Sequence, residues 1–288
     1  ALPTLVTTGT GSGKTESFLI PILDHCRRAR EAGREGVKAV LLYPMNALAT
    51  DQAHRINNHL NNPRDARLRD AGVRAGLYIG DRPSEDFRRD NPRITVDRDE
   101  IRATRPDLLI TNYKMLDLLL QRRADHPLWE SADGPCLTHI VLDEFHTYDG
   151  AQGTDVAMLL RRLGIVAGLA EPGRPLGPVC PVATSATLGE NADASTGEAL
   201  REVAEQVFGV PFPADSVITE NRRDPREFTG DIDFSLPFPS PDEVDGLGDP
   251  SRDPGALARL ATAFTGLDAP TPEQLGRRLR RHRLTCLL

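Results

Sequence analysis

Along residues 1–210, short apolar runs alternate with longer stretches whose apolar positions repeat at helical spacing. The short runs predict strands at Leu5–Thr7, Val37–Tyr43, Val73–Tyr78, Leu108–Thr111, Ile140–Asp143 and Val179–Thr184. Several of these are apolar at nearly every position instead of alternating, which is expected where helices cover both faces of a sheet. The longer stretches predict helices at Lys14–Arg30, Ala47–Leu60, Lys114–Arg122, Asp155–Ala167 and Gly197–Phe208. In the fourth of them Val156, Leu159, Leu160 and Leu163 share one face, with Arg161 and Arg162 directed away from it. Alternation of this kind implies an α/β fold with a parallel, doubly wound sheet.

The pattern changes near residue 210. Residues 211–254 carry Pro211, Pro213, Pro237, Pro239, Pro241, Pro250 and Pro254 with weak periodicity, the character of a linker or an extended arm. Two helical patches follow, at Gly255–Thr265 and Pro272–His282. The expected division is therefore 1–210 for the main domain and 211–288 for a Pro- and Asp-rich linker with a short helical extension. Arg277, Arg278, Arg280 and Arg281 in the last patch read either as a solvated helix face or as a contact to nucleic acid.

Composition narrows the class. Of 288 residues, 39% are hydrophobic and 27% charged, the balance of a soluble globular protein. No apolar run approaches the length of a membrane span, and residues Ala1–Val6 read as a core strand instead of a signal peptide. A cytoplasmic location is the expectation. Cys26, Cys136, Cys180 and Cys286 lie far apart and lack zinc-ligand spacing, so reduced structural thiols are expected. The net charge of −7 excludes a generally basic coat but leaves room for a local basic track. Lysine occurs only at Lys14, Lys38 and Lys114, and Lys14 sits inside a glycine run.

That run, Thr8-Gly9-Thr10-Gly11-Ser12-Gly13-Lys14-Thr15, follows a predicted strand and opens a predicted helix. Small residues let successive main-chain N–H groups point inward at phosphate oxygens, and the helix N-terminus adds partial positive charge. Thr10 to Thr15 would then form the cradle: Lys14 would reach the β- and γ-phosphates and the Thr15 hydroxyl would bind Mg²⁺. Thr8 stands where the strict pattern has glycine. Asp143-Glu144 closes the apolar run beginning at Thr138. An acidic pair there is costly unless a cation or charged substrate meets it. The first carboxylate suits Mg²⁺ and the second suits an attacking water.

Asp143-Glu144-Phe145-His146 resembles the DExH motif of superfamily 2 helicases of the DEAD/DEAH type, and Thr10–Thr15 resembles their phosphate loop. Tyr43–Gln52 looks like motif Ia, Thr111–Leu116 like motif Ib and Ser185-Ala186-Thr187-Leu188-Gly189 like motif III, all in family order. Tyr78-Ile79-Gly80-Asp81 stands where these proteins carry a small glycine turn near the nucleic-acid path. The wording is most similar to the large DNA helicases of the Lhr and YprA/MrfA type, and similar helicases occur in antiphage systems.

The resemblance covers about residues 1–210 and implies a RecA-like fold, ATP and Mg²⁺ as cofactors, and Lys14, Asp143, Glu144 and His146 as catalytic residues. It also implies strand contacts from Pro44, Asn46, Ala47, Thr111 and Asn112, and coupling through Ser185 and Thr187. Asn112 is in addition a natural N-cap for the helix that follows it. Trp129 reads as a loop anchor more readily than as a base-stacking platform.

A glutamine segment that reads adenine would precede residue 1, and no second strand–helix series follows Gly189. The expectation is one half of a motor on single-stranded or partly duplex nucleic acid, DNA in particular. A second RecA-like domain would come from a longer protein or another chain. The other reading is an ATP-dependent switch subunit of a multiprotein complex, such as an antiphage defence assembly.

Overall fold

The computed structural model describes residues 2–9, 11, 13–64, 66–81, 83–130, 134–148, 150–186, 194–219, 231–250 and 253–283. They fall into two compact units, Ala1–Glu220 and Asn221–Leu288.

In the first unit the strands are β1 (Thr4–Thr7), β2 (Ala39–Tyr43), β3 (Ala75–Tyr78), β4 (Ile94–Thr95), β5 (Leu108–Asn112), β6 (His139–Leu142), β7 (Cys180–Ser185) and β8 (Val217–Thr219). They form one sheet in the order β4-β3-β5-β2-β6-β7-β1-β8, with every pairing parallel. The helices are α1 (Lys14–Glu31), α2 (Asn46–Leu60), α3 (Arg67–Asp70), α4 (Glu85–Asp90), α5 (Arg98–Thr104), α6 (Tyr113–Gln121), α7 (Gly150–Val166) and α8 (Ala194–Phe208). This is the parallel α/β architecture that the alternation implies, in the RecA-like form that the resemblance implies.

Two apolar cores flank the sheet. One joins α1 and α2 to Leu41, Leu77, Ile110 and Val141. The other joins α6, α7 and α8 to Val40, Leu109, Ile140 and Leu142. Neighbouring strand residues go to opposite cores, so β2 is apolar throughout and β6 is apolar from Ile140 to Leu142. Trp129 is buried in the second core, as a loop anchor is.

Three differences from the sequence reading have physical causes. The first unit runs to Glu220, beyond the composition change at 210. Phe212 is fully buried against Phe208, and Val217–Thr219 pairs with β1, so the prolines mask a segment that completes the sheet. Helix α7 begins at Gly150, five residues before Asp155. Its glycines argue against helix by propensity, but a Cβ on Gly153 would stand 2.6 Å from the Tyr148 carbonyl oxygen, so packing selects glycine there. Arg161 does not project into solvent: it donates to the carbonyls of Gln206 and Val207 at the end of α8.

At the strands' entry end, Asp107 is fully buried and anchors several segments at once. It accepts from Lys38 Nζ at 2.6 Å, from Arg30 Nε at 2.9 Å and from the Arg74 N–H at 2.8 Å. Helix α1 is thereby fixed to the starts of β2 and β3. Lys38 is nearly solvent-free, which such a charge tolerates only when paired.

The second unit contains α9 (Pro241–Gly246), α10 (Pro254–Thr265) and α11 (Pro272–Arg280). Its helices start on explicit caps, with capping boxes at Ser240/Glu243 and Thr271/Gln274. His282 packs between Phe238 and Phe264 and lies 2.7 Å, through Nε2, from the Pro237 carbonyl. Arg278 donates to the Thr265 carbonyl at the end of α10, Arg281 to Asp231, and Arg277 pairs with Glu273. Arg278 and Arg281 tie segments of the unit together, whereas Arg277 makes only an exposed pair within its own helix; the first two favour a structural role for that part of the basic run.

Candidate functional site

Because every strand is parallel, the residue after each one emerges on the same edge of the sheet, the edge where open α/β sheets bind ligands. Strand order then sorts the motifs. Gly80-Asp81 follows β3, Asn112 ends β5 and Pro44–Asn46 follows β2, so the motifs that the resemblance assigns to strand binding occupy adjacent positions. Asp143-Glu144 follows β6, Ser185 ends β7 and the glycine loop follows β1. The acidic pair stands where the two groups meet.

The glycine loop bends as its composition requires. Gly11 and Gly13 have φ of 78° and 86°, the left-handed region where a side chain would be strained. Thr10 and Ser12 lie outside the described residues. Helix α1 starts at Lys14, so the main-chain N–H groups of its first turn face the loop end without intrahelical partners. The ammonium of Lys14 is buried and has no hydrogen-bond acceptor among the described residues. A buried cation without an acceptor is strongly disfavoured unless an anion joins it. Thr15 is half-buried at the same turn. This donor set fits a polyphosphate.

Asp143 is buried at the end of β6, its N–H donating to Leu42. Its Oδ1 accepts from the Thr184 hydroxyl on β7 and from the Glu144 N–H at 3.1 Å. Burial pushes its carboxyl above the usual carboxylate range; the Thr184 bond opposes this, the Glu144 charge adds to it, and Lys14 acts against it. One buried carboxylate within electrostatic reach of Lys14 suits a hard divalent cation that keeps most of its water or phosphate ligands. Among the described residues no cluster of three or more acidic, His or Cys side chains could hold a metal unaided.

The raised carboxyl has a consequence for stability. A folded state that binds the Asp143 proton more tightly than the unfolded chain loses stability as pH rises through the carboxylate range. Asp143→Asn keeps an acceptor for Thr184 and removes the buried charge. The nucleotide-free variant should therefore melt higher than the natural chain at pH 7, with the gap closing at acidic pH where the aspartate is neutral. Thermal melts across pH check this, and an equal or lower melting temperature at pH 7 would contradict it.

Glu144 has φ 50° and ψ 49°, a left-handed backbone that side-chain-bearing residues rarely adopt. The turn directs its carboxylate toward His146, with Oε2 3.5 Å from Nδ1, and Nδ1 lies 3.3 Å from the Ser185 hydroxyl. Glu144, His146 and Ser185 therefore form one polar string across β6 and β7. Thr187 lies outside the described residues. Glu144 also lines a concavity with Pro44, Met45, Asn46, Asn112, Tyr113, Lys114, Thr147 and Gln152.

In that concavity Pro44 and Asn46 are half-buried; Ala47 does not line it but is exposed beside them at the start of α2. Asn112 caps α6 by accepting from the Met115 N–H at 2.8 Å. Thr111 does not fit the expected strand contact. It is fully buried and its hydroxyl donates to the Tyr78 carbonyl at 2.6 Å, so alternation along β5 turns it into the sheet. Tyr113, Lys114 and Gln152 also line the groove; the first two fall within the segment that resembles motif Ib, and Gln152 has no sequence signal of its own. Helical spacing adds little, since an exposed lysine or glutamine on a first turn is commonplace.

The DEAD/DEAH box helicase family model matches residues 3–195, and the chain belongs to that family. The ATP-dependent helicase YprA of Bacillus subtilis is 30% identical, over 68% of this chain and 22% of that protein. Druantia protein DruE of Escherichia coli is 29% identical, over 55% of this chain and 14% of that protein. The helicase Lhr of Mycobacterium smegmatis, solved with ssDNA and AMP-PNP, matches in fold with a TM-score of 0.54 at 20% identity. That match covers 91% of this chain and 28% of Lhr. The chain thus spans a small part of the relatives it matches. Membership implies an ATP site, and none of the described helices is long and apolar enough to cross a membrane.

Proposed function

We propose that this chain is one RecA-like half of a cytoplasmic motor that couples ATP hydrolysis to translocation along, or separation of, DNA strands. The observation that carries the reading is the buried Lys14 ammonium, without an acceptor among the described residues, at the glycine-loop end of α1. ATP supplies the phosphoryl group and Mg²⁺ the positive charge that offsets its oxygens. Lys14 and the main-chain N–H groups of Thr10, Gly11, Ser12, Gly13 and Thr15 hold the phosphates, and Thr15 with Asp143 holds the cation. Glu144 orients a water and takes its proton. His146, Ser185 and Thr187 relay the state of this site to the groove. Pro44, Asn46, Ala47 and Asn112 grip one strand through backbone contacts that carry no base sequence.

A second RecA-like domain supplies the opposing wall and an arginine, a contribution of about 10³–10⁵ in rate in related phosphoryl-transfer systems. The small share of YprA and DruE that the chain spans supports this division of labour. By itself the chain is expected to bind ATP and Mg²⁺ weakly, hydrolyse slowly and unwind nothing. The test is ATP turnover of the chain joined to a second RecA-like domain, with and without single-stranded DNA. Stimulation of about tenfold or more is expected from backbone-triggered closure. Turnover indifferent to DNA would remove the motor reading. It would leave a nucleotide-dependent switch in a multiprotein assembly, such as an antiphage defence system.

A further inference from the structure

Three loops at the strand-binding edge are joined by a continuous chain of side-chain hydrogen bonds. Asn112 Nδ2 donates to Asn46 Oδ1 at 2.6 Å, and Asn46 Nδ2 donates to Asp81 Oδ2 at 2.9 Å. At one end the Asn112 Oδ1 caps α6 through the Met115 N–H. At the other, the turn that carries Asp81 is propped by Arg98, whose guanidinium donates to the carbonyls of Ile79 at 3.3 Å and Gly80 at 3.4 Å. Arg98 also stacks over the Tyr78 ring, 5.1 Å from its centroid. The chain therefore runs from α5 through the turn after β3, across the start of α2, to the first turn of α6.

The chemistry of an amide makes the order directional. Asp81 is acceptor-only when ionised, so it requires the NH₂ side of Asn46. The carbonyl side of Asn46 is then turned to Asn112, which must answer with its own NH₂ and so presents its oxygen to the helix. One acceptor thus fixes both amide orientations and the N-cap.

We propose that Asp81 and Arg98 are positioning residues for the nucleic-acid track: they lock Asn46 and Asn112 so that the first turns of α2 and α6 present their N–H groups to the phosphates of one strand. The inference rests on the strand-binding role of this edge. It assigns to Asp81 an effect opposite to that of its charge, because a carboxylate near a phosphate backbone would otherwise repel it.

The test uses the full chain, fluorescein-labelled (dT)20 and amide hydrogen exchange. Asp81→Ala and Arg98→Ala should both weaken (dT)20 binding, each by about five- to tenfold, as loss of one ordering hydrogen bond implies. Asp81→Asn retains an acceptor and should bind within about twofold of the natural chain. Simple electrostatics gives opposite signs for removing a negative and a positive charge, so tighter binding by Asp81→Ala overturns the proposal. Exchange at Tyr113–Leu116 decides the strut without DNA: it should quicken in Asp81→Ala and stay unchanged in Asp81→Asn. Unchanged exchange in Asp81→Ala overturns the strut even if DNA binds. Quickened exchange in Asp81→Ala, together with no (dT)20 binding by the natural chain, leaves the strut standing and overturns the strand-binding role of the edge.

Discussion

Glu144→Gln should lower DNA-stimulated ATP turnover by about 10²–10⁴, the usual worth of a positioned general base, while the nucleotide still binds. The substitution keeps the size and one hydrogen-bonding oxygen of the side chain. It also keeps whatever cost the left-handed backbone at this position imposes, since glutamine and glutamate have comparable conformational preferences. Stability should therefore change little and the defect should be chemical. Lys14→Ala should differ in kind, because it removes the cation that the loop buries and weakens nucleotide binding itself. Phosphate release and binding of a fluorescent ATP analogue, measured side by side on the two variants, separate these outcomes. Turnover by Glu144→Gln within a few-fold of the natural chain would take Glu144 out of the hydrolytic site.

The largest expected loss of stability lies far from that edge, at Asp107. Asp107→Ala leaves Lys38 nearly solvent-free with only the Gly36 carbonyl, at 3.0 Å, as a remaining partner. It also deprives the Arg74 N–H of its acceptor and leaves Arg30 with the looser Glu35 contact at 3.6 Å. Removing one member of a buried ion pair costs about 3–5 kcal/mol, much of it the penalty of the charge left behind. Urea denaturation should show a loss in that range. The double variant Lys38→Met with Asp107→Leu should recover part of it, since an apolar pair has no stranded charge. A single-variant loss below about 1 kcal/mol would mean that Lys38 is hydrated after the substitution, at odds with the burial described.

Much of this molecule was legible in its sequence because hydrophobic period and chain order agree in a parallel sheet. Val40, Leu41 and Leu42 are apolar in succession because each core takes alternate residues, and that signature gave away the central strands. The glycine loop and Asp143-Glu144 were legible because few other folds need those residues at strand ends. What stayed hidden depended on distant partners. Strand β4 is two residues long and β8 three, and each exists through pairing with β3 or β1. The buried position of Thr111 follows from the register of β5 against β3, which places its hydroxyl under the Tyr78 carbonyl. In the sequence Asp81 reads only as part of a turn. Its hydrogen bond to Asn46, thirty-five residues earlier, has no local signature.

Strand β8 also bears on how this protein should be cut for experiments. It covers the outer side of β1, the strand that leads into the glycine loop. A fragment ended at residue 210, where the composition changes, would strip that cover and leave β1 with an unpaired row of main-chain groups. Such an edge recruits other chains by strand addition. The same cut would remove Phe212 from the core behind α8. A preparation ended there would be prone to aggregate and could be mistaken for a domain unable to bind nucleotide, whereas a terminus past Thr219 keeps the loop's supporting strand in the interior of the sheet.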